Sequence, residues 1–319
     1  MLIQLPPVQT WLVRQVTNRL SHDLHTTIRI KHVDFSLFNK MLLQGTLVED
    51  NKKDTLLYAG TVKVNITDWW FFKDKAQLQY IGLEDATVKL QRTDSIWNYQ
   101  FIVDYFSKPP PTSPTIKDTT PGLQLDLKEV DLSNIHFLKR DSWRGEDMEL
   151  RLGALQLDAD TISFSQKIAR VKALTFTRPD FTILNYDGRR PHPPIDTARI
   201  VNDPAHLRLN PGQWDLTAGK VSIRNGSFRH EEKADTVFNK YFDGAHIFFS
   251  AVNTSFTNLR LNQDTVTAQL LLSTKERSGL EVKKLAANIK WFPEAMEFHR
   301  LDLVTNRSHL RNFFAMRFT

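Results

Sequence analysis

The sequence predicts an all-β fold: an elongated, curled β-sheet or groove of repeated strand units, with an N-terminal amphipathic helix and a few short helices. Three observations carry this. From residue 26 onward, apolar and polar residues alternate with a period of two in segment after segment, which puts apolar side chains on one face of each strand. A six-residue pattern recurs at Leu83–Val88, Leu132–Phe137, Phe176–Phe181 and Ile223–Phe228, at intervals of 44 to 49 residues. Few segments carry helical spacing, so strands must cover their apolar faces largely by curling over one another. Each copy of the pattern reads apolar, polar, then Asp, Asn or Arg, then any residue, polar, apolar. Self-similarity at that period is the signature of a stacked-repeat architecture. The apolar residue closing each copy is expected to matter more than the polar residue within it.

In chain order, Pro6 and Pro7 open a helix, Pro being tolerated in a first turn. Val8, Trp11, Leu12, Val16, Leu20 and Leu24 follow at helical spacing, so residues 7–24 read as amphipathic. Such a helix lies at a bilayer surface or caps the end of a β-structure. The apolar Met1–Leu5 ahead of it reads as the tail of a longer hydrophobic segment. Ile28, Ile30 and Val33 begin the strand pattern, Leu42–Leu43 and Leu47–Val48 continue it in short pieces around Gly45, and Val62, Val64 and Ile66 give its clearest strand. Trp69–Phe72 is expected to cover the end of the sheet. Leu78–Leu90 is a further strand, and Phe101, Ile102, Tyr105 and Phe106 a short helical patch.

Pro109–Pro114 is a linker of the extended, proline-rich kind. The organisation expected is therefore a helix over 1–25, a first β-module over 26–108, a linker over 109–122 and groove repeats over 123–319. The sequence leaves open whether the two modules form one sheet. Beyond the linker, strands are read at Leu123–Leu127, Leu150–Leu157, Ile162–Phe164, Val171–Leu174 and Phe181–Ile183. Arg189–Pro194 is a loop, Asn202–Pro204 and Asn210–Gly212 are turns, and residues 234–243 are expected to form a short helix. Alternation then runs from Leu259 to Phe318, a finish in mid-strand from which the native chain is expected to continue.

Composition narrows the chemistry. With 41% hydrophobic and 24% charged residues the chain is globular, and Phe outnumbers Tyr by 21 to 6. The absence of cysteine excludes thiolate metal sites, disulfides and cysteine nucleophiles. The net charge of +6 arises from 42 basic and 36 acidic residues interleaved along the whole chain. With no basic run to track phosphates, a solvated surface is expected rather than nucleic-acid binding. No nucleophile elbow, phosphate loop, dinucleotide fingerprint or zinc-helix motif is present. His22 and His25 are close enough on one helix to share a metal, but no regularly spaced third ligand follows. Asp158 and Asp160 share a strand face and read as exposed carboxylates, and His230-Glu231-Glu232 reads as a charged turn. No enzyme and no cofactor are expected. Val88, Leu90, Phe137, Phe181, Ile183 and Phe228, at or near corresponding positions of the repeat, are the candidates to line an apolar trough suited to acyl chains, or else a closed core.

Four segments carry a family resemblance: Gln4–Thr10, Asp54–Gly60 ahead of a strand, Ile81–Glu84, and Trp97–Ile102. In order and spacing they resemble the N-terminal region of TamB-like translocation and assembly module proteins, of the AsmA-like superfamily of Gram-negative envelope proteins. The match is strongest over residues 4–106. The resemblance implies a periplasmic protein tethered to the inner membrane by one N-terminal helix, with a long β-groove reaching toward the outer membrane. It implies phospholipid acyl chains as cargo, and a BamA-like outer-membrane barrel as partner through a C-terminal domain. The residues of this sequence match neither the family's membrane anchor nor that C-terminal domain, and both are expected to lie beyond them.

Overall fold

Period-two alternation resolves into one open, curled sheet of 14 strands, in a computed structural model that describes residues 15, 17–18, 21–36, 40–66, 77–107, 124–163, 166–191, 208–233 and 239–318. The strands are β1 (Ile28–Arg29), β2 (His32–Ser36), β3 (Lys40–Glu49), β4 (Thr55–Ile66), β5 (Gln77–Arg92), β6 (Gln124–Asp141) and β7 (Glu146–Ser163). They continue as β8 (Ile168–Asn185), β9 (Asp215–Glu232), β10 (His246–Asn262), β11 (Thr265–Glu276), β12 (Glu281–Phe292), β13 (Ala295–Thr305) and β14 (His309–Arg317). Spatial order follows chain order, except that β1 and β2 both pair with β3. Neighbours are antiparallel apart from β5–β6 and β8–β9. Each parallel pair needs a long crossover, and the first of these contains helix α1 (Gln100–Ser107), which matches the predicted helical patch.

The proline-rich segment lies outside the described residues, but β5 and β6 on either side of it are hydrogen-bonded neighbours. The two modules therefore belong to one continuous sheet. Gln15, Thr17, Asn18 and Ser21–Asp23 are helical. Leu24, predicted to be the last residue of this helix, lies in a turn; the rest of the predicted helix, together with Trp69–Phe72, Asn202–Pro204 and residues 234–238, lies outside the described residues. Residues 239–243 are not helical as predicted. The Asp243 carboxylate accepts the amides of Asn239 and Ala245 and folds this stretch into a bend instead. Among the described residues no helix is long and apolar enough to cross a membrane.

The hexapeptide proves to mark a line of kinks running across the strands. Its third residue, Asp85, Asn134, Arg178 or Asn225, has φ of 52°, 52°, 49° or 51°. This is the left-handed region, which among residues with a Cβ only Asn and Asp enter readily. One left-handed residue shifts the alternation by a position. Leu83 and Ala86, three apart, thus pack in one cluster with Leu132, Ile135, Leu155, Leu152 and Phe176. Because each copy carries the same shift, register is kept: Leu83 lies opposite Leu132, Leu132 opposite Leu155, Leu155 opposite Phe176, and Phe176 opposite Ile223. Asn134 Nδ2 donates to Asp85 Oδ1 at 2.6 Å along the line. Strand β7 passes this level at Gly153, where a Cβ would come within 2.9 Å of the Thr177 carbonyl oxygen.

The polar residue within the repeat, expected to matter least, is therefore the one that sets the kink. The shift also explains why 171–174 and 181–183 read as separate strands when both belong to β8. Arg178 departs from the Asn and Asp of the other copies, and left-handed geometry costs such a residue roughly 1–2 kcal/mol. Arg178→Asn is expected to raise stability by about 1 kcal/mol, read from the urea midpoint, whereas Asn134→Val lowers it by a similar amount.

Candidate functional site: an apolar face and its rim

Across β5 to β9 the registered side chains form rows. Val88, Phe137, Leu150, Phe181 and Phe228 lie opposite one another in succession. The next row on the same face is Leu90, Lys139, Met148, Ile183 and His230. The row beyond is Arg92, Asp141, Glu146, Asn185 and Glu232. All six lining candidates therefore occupy two adjacent rows of one face, and the Phe181 and Phe228 ring centroids are 6.0 Å apart. Moving along the strands, the face passes from wholly apolar to wholly polar within four residues.

This face is not sealed. All six candidates are half-buried, and the fully buried apolar residues are mostly small, Ala59 and Ala86 above all, or sit at the kink like Ile135 and Leu152. Toward the β14 edge the face opens further: Trp291 is 36% exposed, Leu310 42%, Phe314 43% and Met316 41%. The accessible surface of 21263 Å² exceeds by half the roughly 13,600 Å² of a compact monomer of this mass. The opposite face is charged. There His136 and Arg151 both bond Glu149, and although burial pushes the Glu149 carboxyl up, these two bonds outweigh it and hold the carboxyl below its ordinary value.

The polar rim is bonded within itself. Arg92 grips Asp141 through Nε and Nη2 at 2.7 and 2.8 Å, Lys139 donates to Glu146 at 2.5 Å, and Asn185 Nδ2 donates to Glu232 at 2.9 Å. Just outside it, the backbone of 186–190 runs beside the β6–β7 turn. Tyr186 N donates to Gly145 O at 2.8 Å, Arg189 N to Ser142 O at 3.0 Å and Arg190 N to Trp143 O at 2.8 Å. Gly145, at φ +78°, permits this contact, since a Cβ there would sit 1.8 Å from the Tyr186 carbonyl oxygen.

The polar motifs singled out in the sequence lie elsewhere or play other parts. His22 bonds Asp23 at 3.4 Å, and the His22 and His25 ring centroids are 6.3 Å apart. Asp158 and Asp160 are exposed and share Lys172 at 3.3 and 3.1 Å. His230-Glu231-Glu232 is not a turn: it completes β9, paired with β8 and β10, and Glu231 bonds the buried His246 ring at 2.6 Å. The rim residues Trp143, Arg144 and Tyr186 carry no sequence motif, and Arg190 was legible only as part of a loop. A scan against protein-family models and a search of curated proteins each find no match for this chain.

Proposed function

We propose that this chain is a non-enzymatic β-groove segment that shields phospholipid acyl chains during transport between the inner and outer membranes of a Gram-negative envelope. In this reading it works in the periplasm, tethered to the inner membrane, as the family resemblance implies. The observation that supports it is the continuous, half-exposed apolar face ending in a charged rim. An alkyl chain lying on that face buries methylenes worth about 0.8 kcal/mol each, while a headgroup stays at the rim in contact with water. Native mass spectrometry of the chain purified without detergent is expected to show bound phospholipid. A chain that emerges empty and extracts none from vesicles defeats this reading.

A second reading, a scaffold for outer-membrane protein assembly, draws on the free edge of β14. That edge strand exposes Phe313 by 56% beside Phe314, and an uncovered apolar edge is a template for pairing with another strand. In this reading the contact with a BamA-like barrel belongs to a part of the protein beyond the residues described here. Crosslinks from β14 to client strands, with no lipid on the apolar face, are its distinguishing result.

A further inference from the structure

At the polar end of the apolar rows lies a pocket of about 510 Å³, lined by Trp143, Arg144, Glu146, Asn185, Tyr186 and Arg190 among others. Its volume is in the range of small-ligand sites. Its walls are held by the three backbone hydrogen bonds between 142–145 and 186–190, which fix where its two arginines depart from the chain. Glu146 is already engaged by Lys139, and Asn185 by Glu232 and His230. Among the described residues neither the Arg144 nor the Arg190 guanidinium has a carboxylate partner, although both are exposed. Lys233, outside the lining, lies over the Tyr186 ring, its Nζ 5.9 Å from the ring centre. The pocket is thus lined by two guanidinium groups without carboxylate partners and by two aromatic side chains, and a guanidinium is the side chain best matched to phosphate oxygens. Met148 and Ile183 precede Glu146 and Asn185 on the same face, so an apolar chain leaving this pocket runs directly onto Leu150 and Phe181.

We propose that this pocket binds the phosphate of a phosphate ester, the headgroup of an anionic glycerophospholipid, through Arg144 and Arg190. The proposal rests on the groove reading in one respect only, that the acyl chains lie on the apolar rows. Losing the charge-assisted hydrogen bonds of each arginine should weaken phosphate binding about tenfold.

The test is titration of the full chain, followed by Trp fluorescence and calorimetry, with dihexanoylphosphatidylglycerol, dihexanoylglycerol, glycerol 3-phosphate and inorganic phosphate. Wild type is compared with Arg144→Gln/Arg190→Gln and with Arg224→Gln, which alters a residue far from the rim, and circular dichroism confirms that each variant is folded. The expected result is a loss of about a hundredfold for phosphatidylglycerol in the double variant. Binding of the phosphate-free diacylglycerol and the behaviour of Arg224→Gln should be unchanged. If the double variant binds phosphatidylglycerol as wild type does, the headgroup site is wrong while the groove stands. If glycerol 3-phosphate or phosphate binds through the arginines and no lipid binds, the pocket serves a soluble phosphate and the lipid source is overturned together with the groove. If nothing binds, both fail.

Discussion

Aspartate at both Phe181 and Phe228 is expected to abolish acyl-chain capture while leaving the sheet folded. The two rings face each other across the parallel β8–β9 pair with centroids 6.0 Å apart. They close the apolar row at its β9 end, one row in from Ile183 and His230. Each Phe contributes about 1.5–3 kcal/mol when an apolar partner covers it, so removing both lowers affinity by at least about a hundredfold. A carboxylate adds a second penalty, because an alkyl chain lying over it strips its water without offering a hydrogen bond. Both positions are half-buried, so in the empty protein water still reaches the new carboxylates and the fold tolerates them. Thr182→Asp, on the other face of β8, should leave capture unchanged. The measurement is phospholipid occupancy by native mass spectrometry after incubation with vesicles. Occupancy equal to wild type in the Phe181→Asp/Phe228→Asp variant would mean that acyl chains do not run along these rows.

That the row is continuous was legible from the sequence only in part. The recurrence at 83, 132, 176 and 223 and the choice of Val88, Phe137, Phe181 and Phe228 follow from alternation alone, since residues closing equivalent patterns fall at equivalent heights of a sheet. What alternation could not convey is the function of Asp85, Asn134, Arg178 and Asn225. A left-handed residue reverses the parity of everything after it, so a single 18-residue strand such as β8 reads as two short ones with a gap. The signal was present in the three Asn or Asp residues at this position, which tolerate positive φ, and Arg178 obscured it. The rim was hidden for a different reason. Trp143, Arg144, Tyr186 and Arg190 are brought together by a turn and the first residues of a crossover, some 40 residues apart along the chain, and neither segment has a periodicity to betray the other. His230-Glu231-Glu232 was misread because a run of polar residues at the end of a strand has the composition of a turn. The register with Ile183, Leu184 and Asn185 on one side and with His246 and Ile247 on the other shows that the strand continues through it.

Asp141→Ala is expected to cost about 3 kcal/mol, because it strands a largely buried guanidinium. Asp141 is 1% exposed, its side chain holds Arg92 in a two-pronged bond, and the same carboxylate accepts the Arg144 amide. Arg92 also lies over the Trp97 ring, its guanidinium carbon 4.6 Å from the ring centre. The pair closes β5 against β6 at the end of their parallel register, where no tight turn joins them and the chain returns only after a long crossover. Burial pushes the Asp141 carboxyl up, but the bonds from Arg92 and the Arg144 amide outweigh it and hold the carboxyl below its ordinary value. With the folded-state value depressed, the ionised pair stabilises the fold fully above the unfolded carboxylate range. That contribution is lost as the pH falls below about 4 and through the folded-state value. Urea unfolding should therefore show wild type losing stability in that window, with the gap between wild type and Asp141→Ala narrowing as the wild-type carboxylate takes up its proton. Replacing both partners, Arg92→Met with Asp141→Leu, should recover most of the loss, since an apolar pair leaves no charge unpaired. A double variant no more stable than Asp141→Ala would show that the carboxylate acts mainly through the Arg144 amide. In that case Asp141 organises the 142–145 turn, and through it the arginine pocket, more than it joins the two strands.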